Sequence, residues 1–250
     1  MDAEVISRLL DINYQFYQMF SGSFSATRRR IQPGVARILG GLPLDANLLD
    51  LGCGNGELAA ALARRGGCGA YLGVDFSPGL LAEAEAALAG LPANRLRATF
   101  YPATLADPRP LIALAGRLQP LEAVLAFAVL HHLPGLEMRR NLLAAVRQIL
   151  QESGRPGAVF VHSVWQFLNS PRLAARVLPW ESAGLHAGQV DPGDTLLDWR
   201  RDGIGLRYVH HFSEAELQAL ADECGFRIRQ TYHSDGAGGN LGLYQVWEPG

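Results

Sequence analysis

Lysine is absent from the 250 residues: all 22 basic side chains are arginine. That absence excludes Schiff-base chemistry, a pyridoxal-phosphate anchor and a Walker-type phosphate loop, each of which depends on a primary amine. Cysteine is scarce. Cys53, Cys68 and Cys224 are too few and too scattered for a disulfide framework or a CxxC metal knuckle, and they predict thiols in a reducing compartment. Long apolar runs are missing too. The longest, Ala123 to Leu130, falls short of the roughly 18 residues that a membrane span requires. Charge of one sign is equally lacking, with 22 bases against 24 acids and a net charge of −2, so no basic footprint for nucleic acid shows in bulk. The first residues, Met1-Asp2-Ala3-Glu4, are acidic and carry no targeting pattern, which makes a cytoplasmic protein with no membrane partner the expectation. What remains, 48% apolar and 18% charged residues, is the composition of a folded globular chain.

The pattern predicts one domain over 1–250, with a helical cap at 1–40 and an insertion at 165–212. The cap is rich in aromatics (Tyr14, Phe16, Tyr17, Phe20, Phe24) and ends in Arg28-Arg29-Arg30. From about residue 47, short β-type runs near 47–51, 70–75, 97–101, 122–127 and 158–164 alternate with helical stretches near 56–65, 78–89, 109–117 and 136–151. That alternation is the mark of a parallel sheet with crossover helices. Ser77-Pro78 marks an N-cap followed by proline in the first turn. The stretch 165–212 has no clear period and is too aromatic for disorder, so it reads as a lid over the substrate. Its tryptophans, Trp165, Trp180 and Trp199, read as lid core. Ser213-Glu214-Ala215-Glu216 predicts a capping box opening a helix that Gly225 stops, and strands near 226–232 and 241–247 close the chain.

The strongest chemical signal is Asp50-Leu51-Gly52-Cys53-Gly54-Asn55-Gly56, between the first strand and the first crossover helix. Glycines there let backbone approach a ligand closely. A dinucleotide would place a pyrophosphate on this loop, and the carboxylate of Asp50 would repel it. S-adenosylmethionine carries an ammonium and a sulfonium, and for it the same acid attracts. Asp75 closes the second strand 19 residues beyond Gly56, where an acid accepts from both hydroxyls of a ribose. Phe76 is placed to cover an adenine face. Thr104 and Leu105 follow the third strand, with threonine where an aspartate is more usual.

With these residues in place the chain resembles the class I S-adenosylmethionine-dependent methyltransferases over most of 40–250. The exit of the fourth strand, Phe127-Ala128-Val129-Leu130-His131-His132, belongs to the same resemblance. It implies an α/β, Rossmann-like fold: a seven-stranded, mostly parallel sheet with one antiparallel strand, helices on both faces, and S-adenosyl-L-methionine across the carboxyl ends of the strands. The cofactor-binding residues expected are Tyr17, Arg28, Asp50, Gly52, Cys53, Gly54, Asn55, Gly56, Asp75, Phe76, Thr104, Leu105 and Phe127. Arg28 is assigned to the methionine carboxylate of the cofactor.

Two outer segments are similar to a narrower group, the tRNA wobble-uridine carboxymethyl methyltransferases, stand-alone or fused to an AlkB-type hydroxylase. They are Asn13-Tyr14-Gln15-Phe16-Tyr17 with Phe24-Ser25-Ala26-Thr27-Arg28, and Gly193 to Trp199 with Arg207-Tyr208-Val209-His210-His211-Phe212. Asn240 is followed by Leu241 where the eukaryotic members have tryptophan, and 165–192 looks unrelated. The resemblance implies a methyl ester formed on a carboxymethyl-modified uridine of tRNA. O- or N-methylation of a small metabolite is the alternative, and a non-catalytic cofactor-binding subunit is a third class. Partners expected are thus a small-molecule or tRNA acceptor and a small activating protein.

A carboxylate acceptor is already ionised at neutral pH and requires alignment without a base. An arginine fork suits it, and Arg207, Tyr208 and His210 are the expected cradle. A phenol or amine acceptor would need a histidine as base. Of the pair His131 and His132, expected to point apart on leaving the strand, His131 is assigned to the acceptor pocket, and no metal site is expected.

Overall fold

The computed structural model describes residues 1–26, 30–91, 95–200 and 203–250, without the side chains of Ser23, Phe24 and Ala26. Ten strands and eight α-helices are present among them: α1 (Ala3–Ala26), α2 (Pro33–Gly41), β1 (Leu48–Leu51), α3 (Glu57–Arg64), β2 (Ala70–Asp75), α4 (Pro78–Ala89), β3 (Arg97–Pro102), α5 (Arg109–Ala115), β4 (Ala123–Phe127), α6 (Leu136–Gln151), β5 (Val159–Trp165), α7 (Pro171–Ala174), β6 (Val177–Leu178), β7 (Asp194–Trp199), β8 (Gly205–His210), α8 (Glu214–Glu223), β9 (Phe226–Ser234) and β10 (Gly242–Pro249). The large sheet has seven strands in the order β3-β2-β1-β4-β5-β10-β9, with β10 antiparallel to both neighbours. The strand order reverses beside β1, between β1 and β4, the place where open α/β sheets hold their ligands.

The apolar pattern explains the layers. All four residues of β1 are buried, as expected of a central parallel strand covered on both faces. One face packs on α5, α6 and α8 through Leu111, Leu142, Val146, Leu217 and Leu220, and the other on α2 and α3 through Val35, Leu39, Leu58 and Leu62. Ser77 caps α4 by accepting from the Leu80 N–H at 3.4 Å, and Pro78 occupies its first turn, as the sequence predicts.

The stretch without an evident period holds a second, three-stranded antiparallel sheet, β6-β7-β8. Its register pairs Asp194 with His210, Leu196 with Tyr208 and Leu197 with Arg207. Helix α1 lies on this sheet through Val5, Leu9 and Ile12, which meet Leu196, Tyr208 and Leu185. Farther along, Phe16, Tyr17 and Phe20 carry the same helical stripe onto Leu80, Phe76 and Trp199. Trp180 packs against the first cluster and Trp165 against Phe167. Among the described residues, no helix is long and apolar enough to cross a membrane.

Candidate active site

The turn after β1 is built by its glycines. Gly52 adopts φ +72° and a Cβ there would stand 2.6 Å from Val129 Cγ2; Gly56, at φ +71°, would meet Ala84 Cβ at 2.5 Å. Only glycine satisfies both the left-handed backbone and the close approach. The Gly52 and Cys53 N–H groups donate to the Val74 carbonyl at 2.8 and 3.0 Å, tying the loop to β2. At Gly54 no atom lies within 4 Å of a Cβ position, so the loop opens onto space there.

That space is a cavity of about 640 Å³, within the range of small-molecule sites. Of the residues assigned to the cofactor from sequence, Tyr17, Asp50, Gly52, Cys53, Gly54, Asn55, Asp75, Phe76, Thr104, Leu105 and Phe127 line it. Gly56 is not on the lining; it forms the left-handed N-cap of α3. Arg28 lies outside the described residues, whereas its neighbour Arg30 lines the cavity. Asn13, Asp11, Ser25, Glu57 and His132 line it as well and were not assigned from sequence.

Two acids dominate the electrostatics. Asp50 is 3% exposed and accepts a short hydrogen bond from the Tyr71 hydroxyl. Burial, opposed by that bond and helped by the charge of Asp75, pushes its carboxyl up to about 7. Asp75 accepts from the Gly54 N–H at 3.0 Å and the Ser77 N–H at 2.9 Å. Burial raises it against those bonds. A buried carboxyl whose ionisation is penalised, beside a glycine loop open to the cavity, fits the ammonium of an amino-acid cofactor. Asp75, with lone pairs left after its bonds from backbone N–H groups, fits a diol. Phe76 stands edge-on to Tyr17 with centroids 5.5 Å apart and tilts against Tyr14 at 5.9 Å. Asn55 Nδ2 donates to Ser25 Oγ at 2.8 Å, and Ser25 Oγ donates to Glu83 at 2.5 Å, so the end of α1 is fastened to the glycine loop.

The exit of β4 is strained. Ala128 takes φ +58°, and its N–H is shared by the Ser163 carbonyl and hydroxyl at 3.0 and 3.1 Å. A 3₁₀ turn, Leu130–His132, follows. The two imidazoles, expected to point apart, lie edge to face with centroids 4.3 Å apart, because the chain has left the extended conformation. The turn also exchanges their expected roles. His131, 1% exposed, faces β5, where its Nδ1 accepts from the Trp165 N–H at 3.3 Å; His132 is the one on the cavity.

The expected cradle of Arg207, Tyr208 and His210 is not assembled on the cavity, and none of the three lines it. They lie on β8, where side chains alternate between faces. Arg207 is sandwiched by Trp165 and Phe16, its guanidinium carbon 4.7 and 5.5 Å from the ring centroids. Tyr208 and His210 point the other way, into a buried polar cluster. There the Tyr208 hydroxyl and His210 Nδ1 both donate to Asp194 Oδ1 at 2.7 Å, and His210 Nε2 donates to Glu216 at 2.8 Å. Arg139, 2% exposed, donates to the Tyr208 hydroxyl at 3.2 Å and approaches Asp194 and Glu216 at 3.5 and 3.6 Å. Burial pulls His210 down, but the two carboxylates, opposed in part by Arg139, leave it above its ordinary value. Two cations thus face two carboxylates, and the cluster joins β7 and β8 to α6 and α8. The expected capping box is half formed: Ser213 Oγ accepts from the Glu216 N–H at 3.1 Å, while the Glu216 carboxylate is taken by His210 and Arg139.

A glycine turn at the strand-order reversal, with two buried acids beside it that fit an ammonium and a diol, is the arrangement of a class I S-adenosylmethionine-binding α/β fold. The methyltransferase domain family model matches residues 24–231, and the chain belongs to that family. It is an S-adenosylmethionine-dependent methyltransferase. The trans-aconitate 2-methyltransferase of Streptomyces avermitilis is 31% identical over 220 residues, 76% of this chain and 80% of that protein. Among solved structures, an S-adenosylmethionine-dependent methyltransferase of Methanosarcina mazei superposes with a TM-score of 0.62 at 20% identity, covering 88% of this chain and 98% of that one. The glycopeptide N-methyltransferase MtfA complexed with S-adenosylmethionine gives 0.60 at 18% identity, covering 86% of this chain and 92% of that one.

Proposed function

We propose that the methyl acceptor is a small organic molecule enclosed between α1 and the carboxyl ends of β1, β2 and β4, with β6-β7-β8 serving as the lid that backs α1. The cavity lining carries this reading. Asp11, Asp50, Glu57 and Asp75 stand on it against Arg30, the one cation among the described lining residues. With Asp50 and Asp75 turned to the cofactor, Asp11 and Glu57 remain beside Arg30 for an acceptor; phosphate contacts supply much of the affinity for RNA, and this balance among the described residues does not favour them. The trans-aconitate 2-methyltransferase named above supports a small acceptor, though not that particular one, because the same balance does not favour a polyanion. Incubation with methyl-labelled cofactor, in parallel with total tRNA and with an ultrafiltered small-molecule extract, tests the reading. Label is expected in the extract; label confined to tRNA would overturn it.

The second reading, esterification of carboxymethyluridine in tRNA, is favoured by one observation: Asn13, Tyr14 and Tyr17, which carry that resemblance in the leader, do line the cavity. Loss of a methyl ester from wobble uridine in a deletion strain, seen by nucleoside mass spectrometry, would establish it.

A further inference from the structure

The cavity lining also holds a polar pair, made of Tyr17, expected from sequence on the cofactor, and His132, to which sequence assigned no role. Tyr17 hydroxyl and His132 Nε2 are 3.0 Å apart, both on the lining. The direction of that bond follows from the other ring nitrogen. His132 Nδ1 lies 3.2 Å from the Tyr208 carbonyl oxygen, which only accepts, and 3.5 Å from Asn13 Nδ2. Asn13 is oriented by its Oδ1, which accepts from the Tyr208 N–H at 2.9 Å, and its Nδ2 has the His132 carbonyl as an acceptor at 3.5 Å. The shorter contact and the obligate acceptor place the proton on Nδ1. Nε2 then carries a lone pair, and the Tyr17 hydroxyl donates to it. The tautomer of an imidazole is set by the bond its second nitrogen makes, and here a strand backbone sets it.

We propose that His132, with Tyr17, is the catalytic proton acceptor for an acceptor molecule that bears a hydroxyl, so that the product is a methyl ether. This rests on the small-acceptor reading above and adds the class of acceptor. The hydroxyl proton passes to His132 Nε2, either directly or through Tyr17, whose oxygen takes it while handing its own proton on. The acceptor oxygen forms its bond to the methyl carbon as the carbon–sulfur bond breaks and its electron pair remains on sulfur. The positive charge that leaves sulfur reappears on the imidazolium, where Nδ1–H is already held by the Tyr208 carbonyl. A carboxylate acceptor has no proton to give and would leave this arrangement idle.

The product chemistry decides it. With methyl-deuterated cofactor and the ultrafiltered extract, the labelled product is expected to be an ether, stable to mild alkali and identified by fragmentation. His132→Gln is expected to slow its formation roughly 10²–10⁴-fold. Affinity for the demethylated cofactor should change no more than about twofold, since the Asp50–Asp75 side is untouched. His132→Ala should regain activity with added imidazole, which a merely structural histidine would not show. Nitrogen NMR of the wild type should place the proton of His132 on Nδ1. An alkali-labile ester, an N-methyl product, an Nε2–H tautomer or a full-rate His132→Gln would overturn the proposal while leaving the small-acceptor reading in place. Label found only in RNA would remove both.

Discussion

Asp50→Asn should strengthen the fold and abolish the function, and the two effects have one origin. The carboxyl is pushed from 3.8 to about 7 chiefly by burial. Its folded value lies above its unfolded one, so the penalty is absent below about pH 4, grows between pH 4 and 7, and is complete above pH 7. About three pH units at 1.36 kcal/mol each set an upper figure near 4 kcal/mol. Asparagine loses part of the Tyr71 hydrogen bond, which leaves a gain of roughly 2 kcal/mol at pH 8, or about 4–8 °C in Tm for a chain of this size. At pH 4 the gain should vanish. Calorimetric titration with the demethylated cofactor supplies the binding half. If the ammonium ionises Asp50, wild type should release about 0.9 proton on binding at pH 6 and about 0.1 at pH 8, read from buffers of differing ionisation enthalpy. Asp50→Asn should release none from this site and bind at least about 100-fold more weakly. A variant less stable than wild type at pH 8, or proton release that does not depend on pH, would refute the argument.

Four further substitutions are decided by the packing. Gly52→Ala should cost more than about 2 kcal/mol, since both a positive φ and a 2.6 Å approach to Val129 oppose it; Gly54→Ala, with open space at its Cβ, should lower cofactor affinity with about 1 kcal/mol lost in denaturant titration. Asp194→Ala leaves the buried Arg139 and His210 to share Glu216 alone and should cost about 3–5 kcal/mol by thermal melting, with no rescue by salt. His162 is fully buried against Phe160 and Trp247, neither ring nitrogen has a hydrogen-bond partner, and burial alone lowers it to about 3. Stability should therefore fall as pH drops below about 6.5 toward 3, and His162→Leu should flatten that acid limb in melts taken across the range.

The parts legible in the sequence are those whose signals are local. Strands β1 to β5 and the crossover helices follow from short apolar runs alternating with helical stretches, and their ends deviate by at most two residues. The glycine turn was legible for the same reason, because Gly52 and Gly56 answer to backbone geometry within a few residues of themselves. The small sheet was not. Strand β6 is two residues long, and β7 and β8 alternate too weakly to stand out among turns. Missing β8 as a strand had a chemical consequence, since Arg207, Tyr208 and His210 then read as one cradle although period-two alternation sends Arg207 to one face and the other two to the opposite one.

Residue types and short-range spacing by themselves determined the alternating strands and helices, the cofactor class and the two buried acids beside the glycine turn, because each is written within a strand and the turn that follows. Tertiary structure alone decided the rest. Which histidine reaches the cavity depends on a 3₁₀ turn after a strained Ala128, and the tautomer of His132 depends on a carbonyl 76 residues away. The partners of His210 come from β7 and α8, and its charge is set by what they bring. Such roles arise from contacts between distant segments, and those contacts come into existence only when α1 and the small sheet have packed.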